Sequence, residues 1–249
     1  MKSIIAIVAG GDSSEVVVSL KSAAGLLSFM DQDKYQVYQV TLTKEAWVVN
    51  IEENEQIEIN RSDFSFIYQG KKIKFDFAYI TIHGTPGEDG ILQGYFDLIG
   101  VPYSTCGVLA SALTFNKFTC NQYLKSFGVK VSESVLLRSG QTISTDEVEK
   151  KTGFPCFVKP NVGGSSFGVT KVKSEEDVQP AIERAFKEGN EVMIEAFMQG
   201  TEITCGIYKT KGKSVVLPIT EVVPYNEFFD FDAKYKGQVE EITPARISS

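Results

Sequence analysis

Cysteine is scarce in this chain. The four that occur, Cys106, Cys120, Cys156 and Cys205, form no C-x-x-C pair. Scattered single thiols exclude a disulfide framework and a zinc ribbon, and suit a reducing cytosol. They read as small buried apolar groups. A basic block is also missing: Lys plus Arg is 25 against 32 Asp plus Glu, a net charge of −7. Such a chain is a poor nucleic-acid binder and is repelled by anionic membrane surfaces. No apolar run approaches a transmembrane span. The run at residues 4–9 is too short for a signal peptide and is broken by Gly10-Gly11-Asp12. The expected setting is the cytoplasm, with no membrane or nucleic-acid partner.

Two familiar nucleotide signatures are absent as well. Ala9-Gly10-Gly11-Asp12 follows an apolar run, but the G-x-G-x-x-G spacing of a dinucleotide fold is lacking. The later glycine run is not a P-loop, because no Gly-Lys-Ser/Thr directly follows it and the next element is a strand.

With 43% hydrophobic residues in 249, the chain can bury one large domain or two to three small ones. Residues 4–8, 36–42 and 75–82 read as strands, with a helix over 16–30 opened by a capping box at Asp12 and Glu15. Strand and helix in this order predict a parallel sheet, that is, an α/β domain. Residues 47–51 and 57–59 read as an intervening hairpin, and 107–127 as helical. Beyond Gly128 short strands dominate, at 135–137, 156–159, 169–172, 191–195, 203–209 and 215–223. A helix capped at Ser174 runs to Lys187, and Lys211-Gly212 reads as a hairpin turn. This second part reads as α+β, with a boundary near Cys106-Gly107.

The sharpest local feature is Lys159-Pro160-Asn161-Val162-Gly163-Gly164-Ser165-Ser166-Phe167-Gly168. Glycines beside hydroxyls expose backbone N–H groups that can fold over an oligophosphate. Lying between two strands, the run predicts a mobile hairpin lid; a plain flexible turn is the competing reading. Lys159 ends one strand, Glu195 ends another, and Lys117 lies on the preceding helix. Two lysines, a glycine lid and strand-end acids supply charge for phosphates and acceptors for a base or ribose. Glu15, at the start of the first helix, either holds an amine or completes the cap. His83, the only histidine, stands at a strand end, where a structural role is as ready an explanation.

Taken together, the motifs resemble one family. Gly10-Gly11-Asp12-Ser13-Ser14-Glu15, Val18-Ser19-Leu20, His83-Gly84, Gly87-Glu88-Asp89-Gly90, Leu92-Gln93-Gly94, Ser111-Ala112-Leu113 and Lys117 are similar to D-alanine–D-alanine ligases. So are Val158-Lys159-Pro160, Gly164-Ser165-Ser166, Ile194-Glu195, Glu202 and Asp230-x-Asp232-Ala233-Lys234-Tyr235. The resemblance covers essentially the whole chain. It implies an ATP-grasp fold: an N-terminal α/β substrate domain at 1–106, a central lid domain at 107–198 and the start of a C-terminal catalytic domain at 199–249.

The resemblance also implies the chemistry: ATP phosphorylates a first D-alanine, and the amine of a second displaces the phosphate. Glu15 would bind the ammonium of the first D-alanine, His83 its carboxylate, and Ser165 and Tyr235 would hydrogen-bond with Glu15 and place lid and loop. Lys117 and Lys159, with Gly164, Ser165 and Ser166, would hold phosphates, and Lys234 would stand near the transferring one. Glu195, Phe197 and Glu202 would contact adenine and ribose. A homodimer is implied too.

Three departures stand out. Val16-Val17 replace a polar residue after Glu15, and Phe197 stands for a tryptophan, still offering a ring. Family members continue past the position of Ser249 with an arginine and with ligands for magnesium (or manganese). Glu240-Glu241 cannot substitute, since neighbours in an extended chain point apart. The expectation is therefore no metal ligands within these residues: either the protein continues beyond them and its remaining segment supplies the ligands, or the molecule is a truncated, inactive form. Beside the ligase stand a non-catalytic ATP-binding fragment and another ATP-grasp carboxylate–amine ligase.

Overall fold

An unbroken apolar run such as Ile4-Ile5-Ala6-Ile7-Val8 suits a strand covered on both faces, and β1 (Ser3–Gly10) is buried from Ile5 onward. The computed structural model describes residues 2–52, 55–225 and 239–247. They pack as two units, one reaching to Val131 and including Asn161–Gly164, the other holding Ser132–Pro160 and the chain from Ser165.

In the first unit, α1 (Val16–Phe29) follows β1 and leads to β2 (Tyr35–Leu42). β3 (Trp47–Glu52) and β4 (Glu55–Glu58) form the expected hairpin. A second hairpin, β5 (Ser65–Tyr68) and β6 (Lys71–Lys74), precedes β7 (Phe77–Ile80). Then come α2 (Ile91–Ile99), α3 (Val108–Phe115) and α4 (Lys117–Ser126). The main sheet runs β4-β3-β2-β1-β7, with β1 parallel to both β2 and β7. The predicted parallel sheet is therefore present, with the hairpin added antiparallel along β2. Its core is strongly aromatic: Phe64 meets Phe96 edge-on with centroids 4.9 Å apart, and Phe66 stacks on Phe75 at 5.6 Å.

Two expectations fail here. The capping box does not form: Glu15 takes the cap position of α1 but its side chain makes no cap bond. Asp12 Oδ1 instead accepts from the Lys44 amide at 3.0 Å, and Asp12 N–H donates to Thr85 O. The helix over 107–127 is two helices broken at Asn116, whose backbone is extended (φ −88°, ψ 101°) and whose side chain accepts from Thr119 N–H to cap α4.

The second unit opens with β8 (Ser134–Arg138), α5 (Thr145–Thr152), β9 (Cys156–Pro160), β10 (Thr170–Val172), α6 (Val178–Ala185) and β11 (Glu191–Ala196). They form an antiparallel sheet, order β10-β9-β11-β8. Val158, Val172, Val192 and Ile194 pack with Val148 of α5 and Ala181 and Ile182 of α6. α5 was not expected from the sequence, although Ser144 caps it by accepting from Glu147 N–H at 3.2 Å. The helix expected from Ser174 is shorter, because a 3-10 turn over Glu175–Asp177 precedes α6.

Next come β12 (Glu202–Thr204), β13 (Ile207–Thr210), β14 (Lys213–Val216), β15 (Thr220–Pro224) and β16 (Val239–Ile242). β12, β15 and β16 form one sheet. β13 and β14 form a hairpin whose turn, Lys211 (φ 47°) and Gly212 (φ 74°), has the left-handed pair that matches strand twist. The strands expected at 203–209 and 215–223 are each split in two.

α3 and α4, assigned from the sequence to the central domain, pack in the first unit. Cys156 is buried, as read from the sequence, but Cys106 and Cys205 are exposed. Among the described residues, no helix is long and apolar enough to cross a membrane.

Candidate active site

In open α/β sheets ligands bind beyond the carboxyl ends of the parallel strands. At that end of β1 the chain turns through Gly10, where a Cβ would lie 2.2 Å from Leu42 O. Ser19 Oγ accepts from Gly10 N–H at 3.0 Å in a buried position, which fixes the turn against α1. Ser13 Oγ donates to His83 O at 2.8 Å and accepts from Glu15 N–H at 3.2 Å. One hydroxyl thus joins the start of α1 to the loop after β7.

Glu15 is buried, 3% exposed. A Cβ on Gly164 would stand 3.0 Å from its Oε1, and one on Gly84 3.6 Å from Oε2. The loop after His83 is held from within: Glu88 Oε2 accepts from Gly84 N–H at 2.7 Å. The fully buried Gln93 donates from Nε2 to Gly87 O at 2.6 Å and to Thr105 Oγ1 at 2.9 Å.

Lys117 opens α4. Its Nζ donates to Gly163 O at 2.6 Å and its amide to Asn161 O at 3.0 Å, while Phe118 N–H donates to Asn161 Oδ1 at 2.8 Å. A buried asparagine therefore occupies the amides at the start of the helix. A cavity of about 220 Å³ lies here, lined by Glu88, Thr114, Phe115, Lys117, Gly163 and Gly164. The first unit thus gathers Glu15, His83, Lys117 and Gly164 from among the expected residues.

In the second unit β9 and β10 are antiparallel partners, joined by the glycine run, of which Asn161–Gly164 belong to the first unit. The run is left-handed at Gly163 (φ 92°), Ser165 (49°), Ser166 (61°) and Gly168 (68°). Two consecutive serines in that region carry a steric cost that glycine avoids. Ser165 is buried.

Residues directly opposite one another in a sheet share a face. Lys171 of β10 stands opposite Phe157 of β9, and Phe157 opposite Glu195 of β11. Two residues along β9, Lys159 shares that face and is ion-paired with Glu195. Phe157 and Phe197 lie 6.1 Å apart, centroid to centroid, and Lys171 Nζ sits 4.6 Å from the Phe197 ring centre. A cleft of about 830 Å³ opens beside them, lined by Phe157, Glu195, Phe197, Met198, Glu202 and Glu221 among others. Its mixture of aromatic walls and acids suits a planar base with amino and hydroxyl groups.

Glu221 is clamped by Arg246, which donates from its amide (3.1 Å), Nε (2.9 Å) and Nη2 (2.8 Å). These bonds to Arg246 hold the carboxyl down at about 2. The second unit thus gathers Lys159, Ser165, Ser166, Glu195, Phe197 and Glu202. Lys234 and Tyr235 lie outside the described residues. Among the described residues no group of three or more His, Cys, Asp or Glu is placed to hold a metal ion.

Phe157, Lys171 and the Glu221–Arg246 clamp carried no signal in the sequence, and Asn161 stood there only as one member of the glycine run. The partners of Lys171 are set by strand register, and Asn161 by a contact 43 residues away in the chain. Ser19 and Gln93 were legible only as parts of motifs.

Comparison with known proteins bears on the whole chain. The family model for the D-ala D-ala ligase N-terminus matches residues 4–106, and that for the D-ala D-ala ligase C-terminus matches 123–249. The D-alanine–D-alanine ligase of Bacteroides fragilis is 65% identical over 248 residues, covering 100% of this chain and 76% of that protein. That of Phocaeicola vulgatus is 66% identical over 247 residues, covering 99% and 76%. Among solved structures, the VanG D-Ala:D-Ser ligase from Enterococcus faecalis is 30% identical with a TM-score of 0.82, covering 100% of this chain and 78% of that one. The D-alanine–D-alanine ligase from Bacillus anthracis complexed with ATP is 31% identical with a TM-score of 0.71, covering 96% and 70%. The expected ATP-grasp architecture agrees with these neighbours and with the mixed α/β sheets described above. On both family models and on 65% identity across the chain to a curated relative, the chain belongs to the D-alanine–D-alanine ligase family.

Proposed function

We propose that this protein joins two D-alanines into D-alanyl-D-alanine at the expense of ATP, in the synthesis of cell-wall precursors. A carboxylate oxygen of the first D-alanine attacks the γ-phosphorus and ADP leaves. The unprotonated amine of the second attacks the acyl-phosphate carbon, and the tetrahedral intermediate expels phosphate. Condensation in water is uphill, so a phosphate leaving group is needed. Positioning and charge neutralisation supply most of the catalysis of such a transfer.

The observation that carries this reading is Glu15, a buried carboxylate at the start of α1 with Gly84 and Gly164 close about it. An acid in so confined a place selects a small ammonium compound. We assign it the ammonium of the first D-alanine, and His83 its carboxylate. Ser165 and Tyr235 place lid and loop. Lys117 and Lys159, with Gly164, Ser165 and Ser166, hold the phosphates, and Lys234 stands near the transferring one. Glu195, Phe197 and Glu202 take adenine and ribose. The division into 1–106, 107–198 and 199–249 is part of this proposal.

Magnesium, implied by the family, finds no set of ligands among the described residues, so no step here runs through it. We place the protein in the cytoplasm, as a homodimer formed through its N-terminal domain.

The test is ADP release by this 249-residue polypeptide with ATP, magnesium and a panel of D-alanine, L-alanine and D-serine. Release with D-alanine alone establishes the ligase. Release with D-serine and not D-alanine refutes the substrate, and ATP binding without release makes the chain a non-catalytic nucleotide binder.

A further inference from the structure

Phe197 stands just past the end of β11 and is 40% exposed. A ring there needs side chains to hold it, and two do. On one side is Phe157, 6.1 Å away and tilted by 43°. Lys171 also reaches the ring, with its ammonium 4.6 Å from the ring centre. That is within the reach at which a cation is drawn to the negative face of an aromatic ring. Strand register makes the contact possible, since Lys171 stands opposite Phe157 and both project from the face that carries Glu195.

We propose that Lys171 is a positioning residue for the base end of the nucleotide. It acts through Phe197, holding the ring at the mouth of the cleft so that the ring is already in place when adenine arrives. This rests on the reading of that cleft as the adenosine site. Preorganising a contact side chain lowers the ordering cost of binding. A cation–π contact of this kind contributes about 0.5–2 kcal/mol, so its loss weakens binding roughly 2- to 30-fold. Lysine 171 also lies three residues beyond Gly168, at the lid's return strand, so the same side chain ties lid strand to base contact.

The experiment is calorimetric titration of the 249-residue chain with ATP, for wild type, Lys171→Met, Lys171→Arg, Phe197→Leu and the Lys171→Met/Phe197→Leu double variant. Methionine keeps the length of the stem and removes the charge. We expect Lys171→Met to weaken ATP binding about 3- to 10-fold and Lys171→Arg to stay within about twofold of wild type. In the Phe197→Leu background, Lys171→Met costs nothing further. Full affinity in Lys171→Met overturns the proposal. So do losses that simply multiply in the double variant, which would mean that Lys171 acts on the nucleotide independently of the ring. Failure of the wild-type chain to bind ATP overturns the reading of the cleft, and this inference with it.

Discussion

A methyl group on Gly164 would sit 3.0 Å from Oε1 and 3.2 Å from Oε2 of Glu15. Gly164 is not among the residues in the left-handed region, so alanine is tolerated by its backbone and the effect is one of space. Gly164→Ala is expected to displace the Glu15 carboxylate by a few tenths of an ångström. The D-alanine concentration for half-maximal turnover should rise about tenfold, less than the roughly 100-fold that follows a 1 Å misplacement. Steady-state kinetics checks this, and an unchanged KM removes Glu15 from the ammonium site.

Lys159 and Glu15 are assigned to different substrates. On the proposed phosphate role, Lys159→Ala should weaken ATP binding roughly 10- to 150-fold, the loss of charge-assisted hydrogen bonds worth about 1.5–3 kcal/mol. Glu15→Ala should leave ATP affinity within about twofold and abolish D-alanine dependence. Equal loss of ATP affinity in both, measured by calorimetry, refutes the division of the site.

The Glu221–Arg246 clamp makes a prediction about acid. The Glu221 carboxyl is held at about 2 by Arg246, against an ordinary value of 4.5. Between those values the unfolded chain binds more protons than the folded one. The stability the pair contributes is therefore complete above pH 4.5 and is lost as pH falls towards 2. Thermal melting across this window should show Tm falling with pH more steeply in wild type than in Glu221→Gln. Parallel curves would show that the clamp does not persist in solution.

Ser19→Ala deletes the buried acceptor of the Gly10 amide. An unpaired buried N–H costs about 1–3 kcal/mol, to be read as a lower urea midpoint with an unchanged m-value. A midpoint equal to wild type would show that water replaces the hydroxyl.

Composition and periodicity carried much of the fold. The parallel sheet around β1, the hairpin after β2 and the antiparallel pairing of β9 with β10 all follow from patterns of apolar residues and turns. Where the reading slipped, a long-range contact had outweighed a local rule. Asp12 is drawn to the Lys44 amide and so leaves the cap of α1. Asn116 breaks one predicted helix into two because its side chain caps the second. The site shows the same division. Glu15, Lys117, Lys159 and Glu195 were legible because charged residues at strand ends and helix starts are conspicuous. Lys171 and Asn161 were not, because their partners depend on strand register and on distant contacts.

Asn161 has a consequence for how the protein is made. Its carbonyl and side chain occupy the first amides of α4, and Lys117 reaches on to Gly163. Residues 161–164 therefore complete a unit whose other members end at Val131. Chains emerge from the ribosome N-terminus first, and domains generally fold as they appear. Here the N-terminal unit must wait for Gly164 to emerge before α4 gains its last partners. A fragment cut at Val131 would carry the sheet and all four helices and still lack the piece that caps α4.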